Sequence, residues 1–418
     1  MPAEQAPPNL EPQPTASSST PFIIWTLQRT GGTNLAQHLF RSSGLPGTSG
    51  PPASDGVLAR ITNAWRLHEP FNLNDPERPF GTISEAWTRD RDHDPLVRSI
   101  EGICKERIPI KHCVEMVPWE ITECLARVSV QAGYRHVFLH RRDSIARLLS
   151  LQFAKATGIW GDKLRGSGKI PDSLFSELLP VRSLAAHESY CSALMSRTFD
   201  LLDEIDGVPA AIAYEDIFEA SSPALARKSL HLLLRYLNMP LEAEAAGLWA
   251  GAVLGSGDQK TRDLYVRFPG VEALRDSLRQ TCRFAPHRAL VPYTVVRCDP
   301  LPSWVIVAAI DSLPHTIGDG RRSAIGGVVV IASDSPTAPD LRLYRDGEAV
   351  PVRWHIESPL MAASYSGAAN SATARFAADG SLVRRDSRFS IRIAAENYSE
   401  TELYRIEYHE GSQRIAEQ

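Results

Sequence analysis

One stretch constrains this chain more than any other: residues 22 to 39, Phe-Ile-Ile-Trp-Thr-Leu-Gln-Arg-Thr-Gly-Gly-Thr-Asn-Leu-Ala-Gln-His-Leu. Phe22 to Leu27 is a short apolar run rich in β-formers, the pattern of a strand covered on both faces. Gly31 and Gly32 have no Cβ, so the amides there can turn inward and approach an anion closely. Thr33 or Asn34 can cap a helix that carries Leu35 and Leu39, and the helix start adds partial positive charge. Arg29, ahead of Thr30, supplies a full one. A strand, a glycine turn, a cation and a helix start together make a cradle for phosphate or sulfate. No lysine follows Gly32, so the Walker pattern G-x-x-x-x-G-K-[ST] is missing and ordinary Mg-dependent NTP hydrolysis is disfavoured. Taken alone, the stretch suits equally well a strand-to-helix turn whose glycines serve only packing.

A second signal lies at residues 135 to 150. Val137 to Leu139 reads as another buried strand, ending in Arg141 and Arg142 before a helix that carries Arg147 and Ser150. From the strand's end Arg142 can reach over the first helical turns towards Ser150. A guanidinium fork plus a hydroxyl suits a terminal phosphate held in one orientation. The competing reading is a solvated Arg-Arg-Asp turn with a helix cap.

The ordered pair, Gln28-Arg29-Thr30-Gly31-Gly32-Thr33 followed by Arg142-Asp143 and Ser150, resembles the two signatures of the sulfotransferases that use 3′-phosphoadenosine 5′-phosphosulfate (PAPS). The first resembles the loop that holds the 5′-phosphosulfate, the second the element that holds the 3′-phosphate. Phe153-Ala-Lys-Ala-Thr-Gly-Ile-Trp160 is closest to the bacterial trehalose sulfotransferase-like branch. The resemblance spans about residues 20 to 285 and leaves the rest of the chain outside it.

The 418 residues suffice for one large domain and a smaller one. With 45 basic against 49 acidic side chains, the net charge of −4 gives no bulk attraction to nucleic acid or anionic membrane. Six scattered cysteines without a C-x-x-C pair argue against a zinc site and a disulfide framework, and suit reduced thiols in a cytoplasmic protein. No apolar run approaches the ~18 to 20 residues of a membrane helix, and the N-terminus lacks the basic and apolar regions of a secretory signal.

Residues 1–20 are Pro, Ser, Gln and Glu with almost nothing to bury, and are expected to form a disordered tail. Gly44 to Gly56 reads as a flexible loop at the mouth of the site. Pro70 biases Glu69 towards an extended conformation, and a carboxylate beside aromatic rings can have its pKa raised into the range of a general base. In the bacterial branch a glutamate soon after the first helix is the proposed base, and Glu69 is the match here; a surface glutamate before a proline turn fits as well. Trp87 to Asp94 reads as a charged, solvated face. Ile108 to Val114 reads as a strand whose Lys111-His112 resembles the Lys-x-His strand of cytosolic sulfotransferases. Here the two are adjacent, so the two-residue period points them to opposite faces. His112 is the alternative base, weighed against a satisfied core histidine.

Trp119 to Gly133 is amphipathic and closes a strand–helix–strand crossover, which implies a parallel pair. Gly158 to Gly168 reads as a basic loop, 173–204 and 223–250 as helical, and Ala210 to Ala213 as a further strand. Tyr214-Glu-Asp-Ile217 resembles a Tyr-Glu-Asp-Leu segment that is largely structural in sulfotransferases. A basic loop carrying Lys260 and Arg262 then precedes a last helix, Val271 to Leu278. From about Pro292, short alternating runs separated by pairs such as Asp346-Gly347 suggest an antiparallel β-sandwich.

The expected fold class is therefore α/β: a P-loop-type three-layer fold with a central parallel sheet over 21–290, plus a C-terminal all-β, sandwich-like domain over 291–418. The resemblance implies transfer of a sulfuryl group from PAPS to a hydroxyl of a carbohydrate or glycolipid acceptor, leaving PAP; nothing in the sequence demands a metal, and its charge balance and short apolar runs give no expectation of a nucleic-acid partner or a membrane span. The resemblance further implies that Arg29, Thr30, Gly31, Gly32, Thr33 and Asn34 hold the donor's 5′ end, with Arg29 and the Gly31–Thr33 amides also stabilising charge on the bridging oxygen, that Arg142 and Ser150 hold its 3′-phosphate, and that Glu69 or His112 removes the acceptor proton. A P-loop kinase or other phosphotransferase, and a glycan-binding scaffold with a decayed transferase domain, are the alternatives. For the β region, glycan binding, self-association into a homo-oligomer and simple scaffold extension remain open.

Overall fold

The computed structural model describes residues 20–43, 45, 69–71, 81–158, 175–239, 243–255, 262–314, 324–334, 339–396 and 398–409. The expected N-terminal tail, nearly all of the loops at Gly44–Gly56 and Gly158–Gly168, and Lys260 lie outside these residues.

Four strands, β1 (Phe22–Thr26), β2 (Ile110–Cys113), β3 (Arg135–His140) and β4 (Ala210–Ala213), form one parallel sheet in the order β2-β1-β3-β4. All five side chains of β1 are buried, as its unbroken apolar run requires of an inner strand. Parallel neighbours cannot be joined by tight turns, so helices fill the connections. Between β1 and β2 run α1 (Gly32–Ser43), α2 (Gly81–Asp90) and α3 (His93–Lys105). A 3-10 turn (Val114–Met116) and α4 (Trp119–Gln131) join β2 to β3, while α5 (Ser144–Thr157) and α6 (Val181–Glu204) lie between β3 and β4. The chain moves to one side of β1 for β2 and to the other for β3. Such a reversal opens a crevice at the carboxyl ends of the strands, where α/β sheets take ligands.

The solvated face expected at Trp87 to Asp94 is exposed from Thr88 to Asp94, where α2 ends and α3 begins, and only its first residue turns inward. Trp87 is buried, and Leu96, Ile100, Ile103 and Cys104 form the inner stripe of α3, which Asp92 caps by accepting from the Asp94 amide. The charged residues are the outer half of an amphipathic pattern whose inner half starts only beyond them. The helical span expected at 223–250 divides into α8 (Pro223–Tyr236), with α7 (Tyr214–Ile217) before it, and α9 (Ala243–Gly255). Asn238 takes a left-handed backbone (φ 53°) just past α8, which a continuing helix forbids. Two further helices, α10 (Arg262–Tyr265) and α11 (Val271–Leu278), precede the β region.

The remaining strands are antiparallel. β6 (Val305–Ser312), β7 (Ala324–Ile331), β10 (Arg353–Ile356) and β11 (Arg375–Asp379) make a sheet in the order β10-β11-β7-β6. β5 (Tyr293–Arg297), β8 (Asp340–Arg345), β9 (Glu348–Val350), β12 (Arg388–Ala395) and β13 (Tyr398–Tyr408) make a second, β5-β13-β12-β8-β9. The run expected as one strand at Val350–His355 is two, in different sheets. Pro351 has no amide for a ladder and lies in the break. Asp346 and Gly347, both at positive φ, make the tight β8–β9 turn that their sequence announces. The Tyr404 hydroxyl on β13 donates to the Ala308 carbonyl on β6 at 2.7 Å and ties the two sheets together.

The β region is stitched to the parallel sheet. The Ala211 amide donates to the Arg288 carbonyl (2.8 Å), and the Leu290 amide donates back to Ala211 (2.7 Å). Residues 288–290 thus run along the outer edge of β4. Ser221 and Lys228 donate to the carbonyls of Ile310 and Leu313, and one apolar cluster continues from β1 through Leu290 and Tyr293 to Ile406. No described helix is long and apolar enough to cross a membrane.

Candidate active site

The chain leaves β1 at Thr26 and turns through residues 27–31 into α1. Arg29 takes a left-handed backbone (φ 66°), a conformation costly for a residue with a Cβ, and Gly31 follows at φ 77°. The turn is braced from within. Thr30 donates to the Leu27 carbonyl at 2.7 Å and bonds to the Thr26 hydroxyl. It is braced from outside as well: the Gln28 amide donates to Glu115 Oε1 (2.6 Å), and Arg147 reaches the Gln28 carbonyl at 3.5 Å. A Cβ on Gly31 would come within 3.0 Å of the Tyr214 and Phe218 rings, and one on Gly32 within 2.9 Å of Lys111 Cε. Gly31 is held to glycine by its positive φ and these rings, while a side chain at Gly32 would displace Lys111. Helix α1 already starts at Gly32, so Thr33 and Asn34 lie in its first turn and do not precede it as caps.

Strand β2 delivers Lys111 to this turn. Its ammonium donates to Thr33 Oγ1 at 3.1 Å and pairs with Glu69, whose oxygen also receives the Cys113 thiol at 3.4 Å. Glu69, Phe71, Lys111, His112, Cys113 and Val117 line a small cleft. Glu69 thus faces the glycine turn through a lysine that is not in the expected residue set, although Lys111 stands in the strand that carries it. His112 alternates with Lys111 along β2, yet its ring still borders the same cleft. Its Nε2 meets Thr122 Oγ1 at 3.0 Å, and its ring stacks edge-on against Trp25 and Phe71. Burial pushes its pKa down to about 3, so it is a neutral, satisfied core group at neutral pH.

The second anion grip differs from expectation. Ser150 does not meet Arg142; it accepts from Arg29 Nε at 2.8 Å. Arg142 donates to both oxygens of Asp216 (2.6 and 2.7 Å), and the Arg142 and Asp143 amides both donate to Glu215 at 3.0 Å. Carboxylates of α7 therefore occupy the cationic and amide donors at the tip of β3. The physical reason is strand exit geometry: Arg141 and Arg142 leave β3 in different directions, and only the first turns to the glycine loop. Arg141 stacks on Tyr214 with its guanidinium carbon 4.3 Å from the ring centroid, and it donates to Glu219 at 3.0 Å. Burial holds the Arg29 pKa below its ordinary value, and the charge of Arg141 acts in the same direction.

Behind the loop lies a buried ionic group. Arg147, 1% exposed, pairs with Glu188 of α6, whose other oxygen accepts from Ser144 at 2.6 Å. The described residues contain no cluster of three or more His, Cys, Asp or Glu suited to a metal ion. Arg262 begins α10, and its side chain lies outside what is described.

In chemical terms the crevice presents a glycine turn with two arginines and a lysine nearby, a hydroxyl at Ser150, and one carboxylate beside the lysine. No protein-family model, no curated protein and no solved structure matches this chain.

Proposed function

We propose that the chain is a sulfotransferase with a P-loop-type core, moving a sulfuryl group from PAPS to a hydroxyl of a carbohydrate or glycolipid acceptor. The observation that carries this reading is the convergence of Arg29, the Gly31–Thr33 turn, Lys111 and Glu69 at the carboxyl ends of β1 and β2. In the reaction a bond forms between the acceptor oxygen and sulfur, and the bond from sulfur to the 5′-phosphate oxygen breaks, releasing PAP. Glu69 takes the acceptor proton. Lys111, already between Glu69 and Thr33, faces the bridging oxygen where negative charge grows, together with Arg29 and the turn amides. Ser150, with Arg141 beside Arg29, holds the 3′-phosphate and so sets the sulfur in line. His112 takes no part, because burial that lowers its pKa to about 3 leaves the ring too weak a base to keep a proton taken up near neutral pH.

Calorimetry with PAP, ADP and ATP, with and without Mg, tests the donor. Binding of PAP without Mg is expected; tight ATP·Mg binding with indifference to PAP rejects the proposal in favour of a phosphotransferase. ³⁵S-labelled PAPS offered with sugars and cell-envelope glycolipids tests transfer. Donor binding with no label moved favours a scaffold. Glu69→Gln is expected to slow transfer roughly 10² to 10⁴-fold while leaving PAP affinity in place.

A further inference from the structure

The carboxylate of Glu115 has no place in the reaction just described, yet it is buried beneath the loop with one oxygen, Oε2, lacking a hydrogen-bond partner. Its other oxygen accepts from the Gln28 amide at 2.6 Å. The same Gln28 residue is approached at its carbonyl by Arg147, which is itself fixed by Glu188. Gln28 immediately precedes Arg29, the loop residue whose left-handed backbone (φ 66°) no glycine relieves. A strained conformation persists only where its surroundings over-determine it. Here the surroundings are a carboxylate on one end of the Gln28 residue and a buried guanidinium on the other. From that backbone the Arg29 side chain reaches Ser150 at 2.8 Å.

We propose that Glu115 is a positioning residue: by accepting the Gln28 amide it holds the Arg29 backbone in its left-handed turn and so aims the guanidinium at the donor subsite shared with Ser150. The role depends on reach and on an acceptor oxygen, not on charge. It also takes the Gln28 amide out of the anion cradle, leaving the amides from Gly31 onward for the donor. The consequence for donor binding rests on the proposed sulfotransferase reading; the clamp itself does not.

Two substitutions separate reach from charge. Glu115→Gln keeps the length and a carbonyl acceptor but loses the charge; Glu115→Asp keeps the charge and is one methylene short. Hydrogen exchange read at the Gln28 amide is independent of any ligand. Glu115→Gln is expected to preserve slow exchange there, and Glu115→Asp to speed it at least tenfold while the β1 amides remain protected. PAP affinity by calorimetry is expected to stay within threefold of wild type for the Gln variant and to fall at least tenfold for Asp. Equal protection of Gln28 in the Asp variant, or loss of protection in the Gln variant as large as in Asp, overturns the clamp. Failure of the wild-type protein to bind PAP overturns the sulfotransferase reading instead, and the exchange result still decides the clamp.

Discussion

Lys111→Met removes the cation that faces Glu69 at a point where the lysine side chain is 5% exposed and the glutamate 15%. Burial alone would lower the lysine pKa, but Cys113 and Glu69 outweigh it and hold the pKa above its ordinary value. A group whose folded pKa is raised contributes stability fully present below its unfolded pKa and lost as pH rises through the folded one. At neutral pH the contribution is therefore intact, and it declines only in the alkaline range above 10.5. Breaking a buried pair by deleting one partner costs about 3 to 5 kcal/mol, because the remaining charge is left uncompensated. The partial exposure of Glu69 places this case at the low end, about 3 kcal/mol. With roughly 2 °C of melting midpoint per kcal/mol for a large domain, the variant should melt about 6 °C below wild type by circular dichroism. Lys111→Met with Glu69→Gln leaves no orphan charge, and at least half of the loss should return. A single variant within about 2 °C of wild type, or a double variant no better than the single, refutes the coupling and with it the view of Lys111 and Glu69 as one unit.

Gly31→Ala places a methyl 3.0 Å from Tyr214 and Phe218 at φ 77°, and should cost about 1 to 3 kcal/mol in urea denaturation and weaken PAP at least tenfold; unchanged affinity would remove this turn from the donor site. Arg141→Ala should weaken PAP at least tenfold but ADP little, since ADP lacks the 3′-phosphate, whereas Arg142→Ala should leave PAP affinity within threefold and lower stability by stranding buried Asp216. The opposite ranking would return the 3′-phosphate to Arg142. His112, His136 and His140 are each held at about 3 by burial, below the unfolded value of 6.5, so the unfolded chain binds more protons in acid. Stability is then full above about pH 6.5 and falls towards pH 3, by up to about 1.4 kcal/mol per pH unit for each ring; a flat urea midpoint between neutral pH and pH 5 refutes it.

The elements with a strong local pattern were legible in the chain. The apolar run at Phe22, the alanine-rich strand at Ala210–Ala213 and the helix Val271–Leu278 stand where their periodicity puts them. So does the Asp346-Gly347 turn, because positive φ at both positions is a local demand. Elements whose buried stripe is interrupted by charge, such as the helices flanking Asp92, were not legible, nor was the break at Pro351. Side-chain partners were the least legible of all. Lys111 meets Glu69 and Arg142 meets Asp216 across 42 and 74 residues of sequence, and such meetings are decided by strand order, which no local spacing encodes. Eight residues between Arg142 and Ser150 suggest a shared ligand only if both leave their elements in the same direction. The alternation that separates Lys111 from His112 was readable, since two-residue periodicity is a property of any strand.

The short run at 288–290 has a practical bearing on how this protein is dissected. It serves as a hem on β4, occupying hydrogen-bonding groups that would otherwise offer themselves to the strand of another molecule. Anyone expressing the N-terminal part by itself and stopping before Arg288 would cut that hem away and bare the apolar seam beneath Leu290 and Tyr293. Sticky, self-pairing material would then report the position of the scissors, not the chemistry of the fragment.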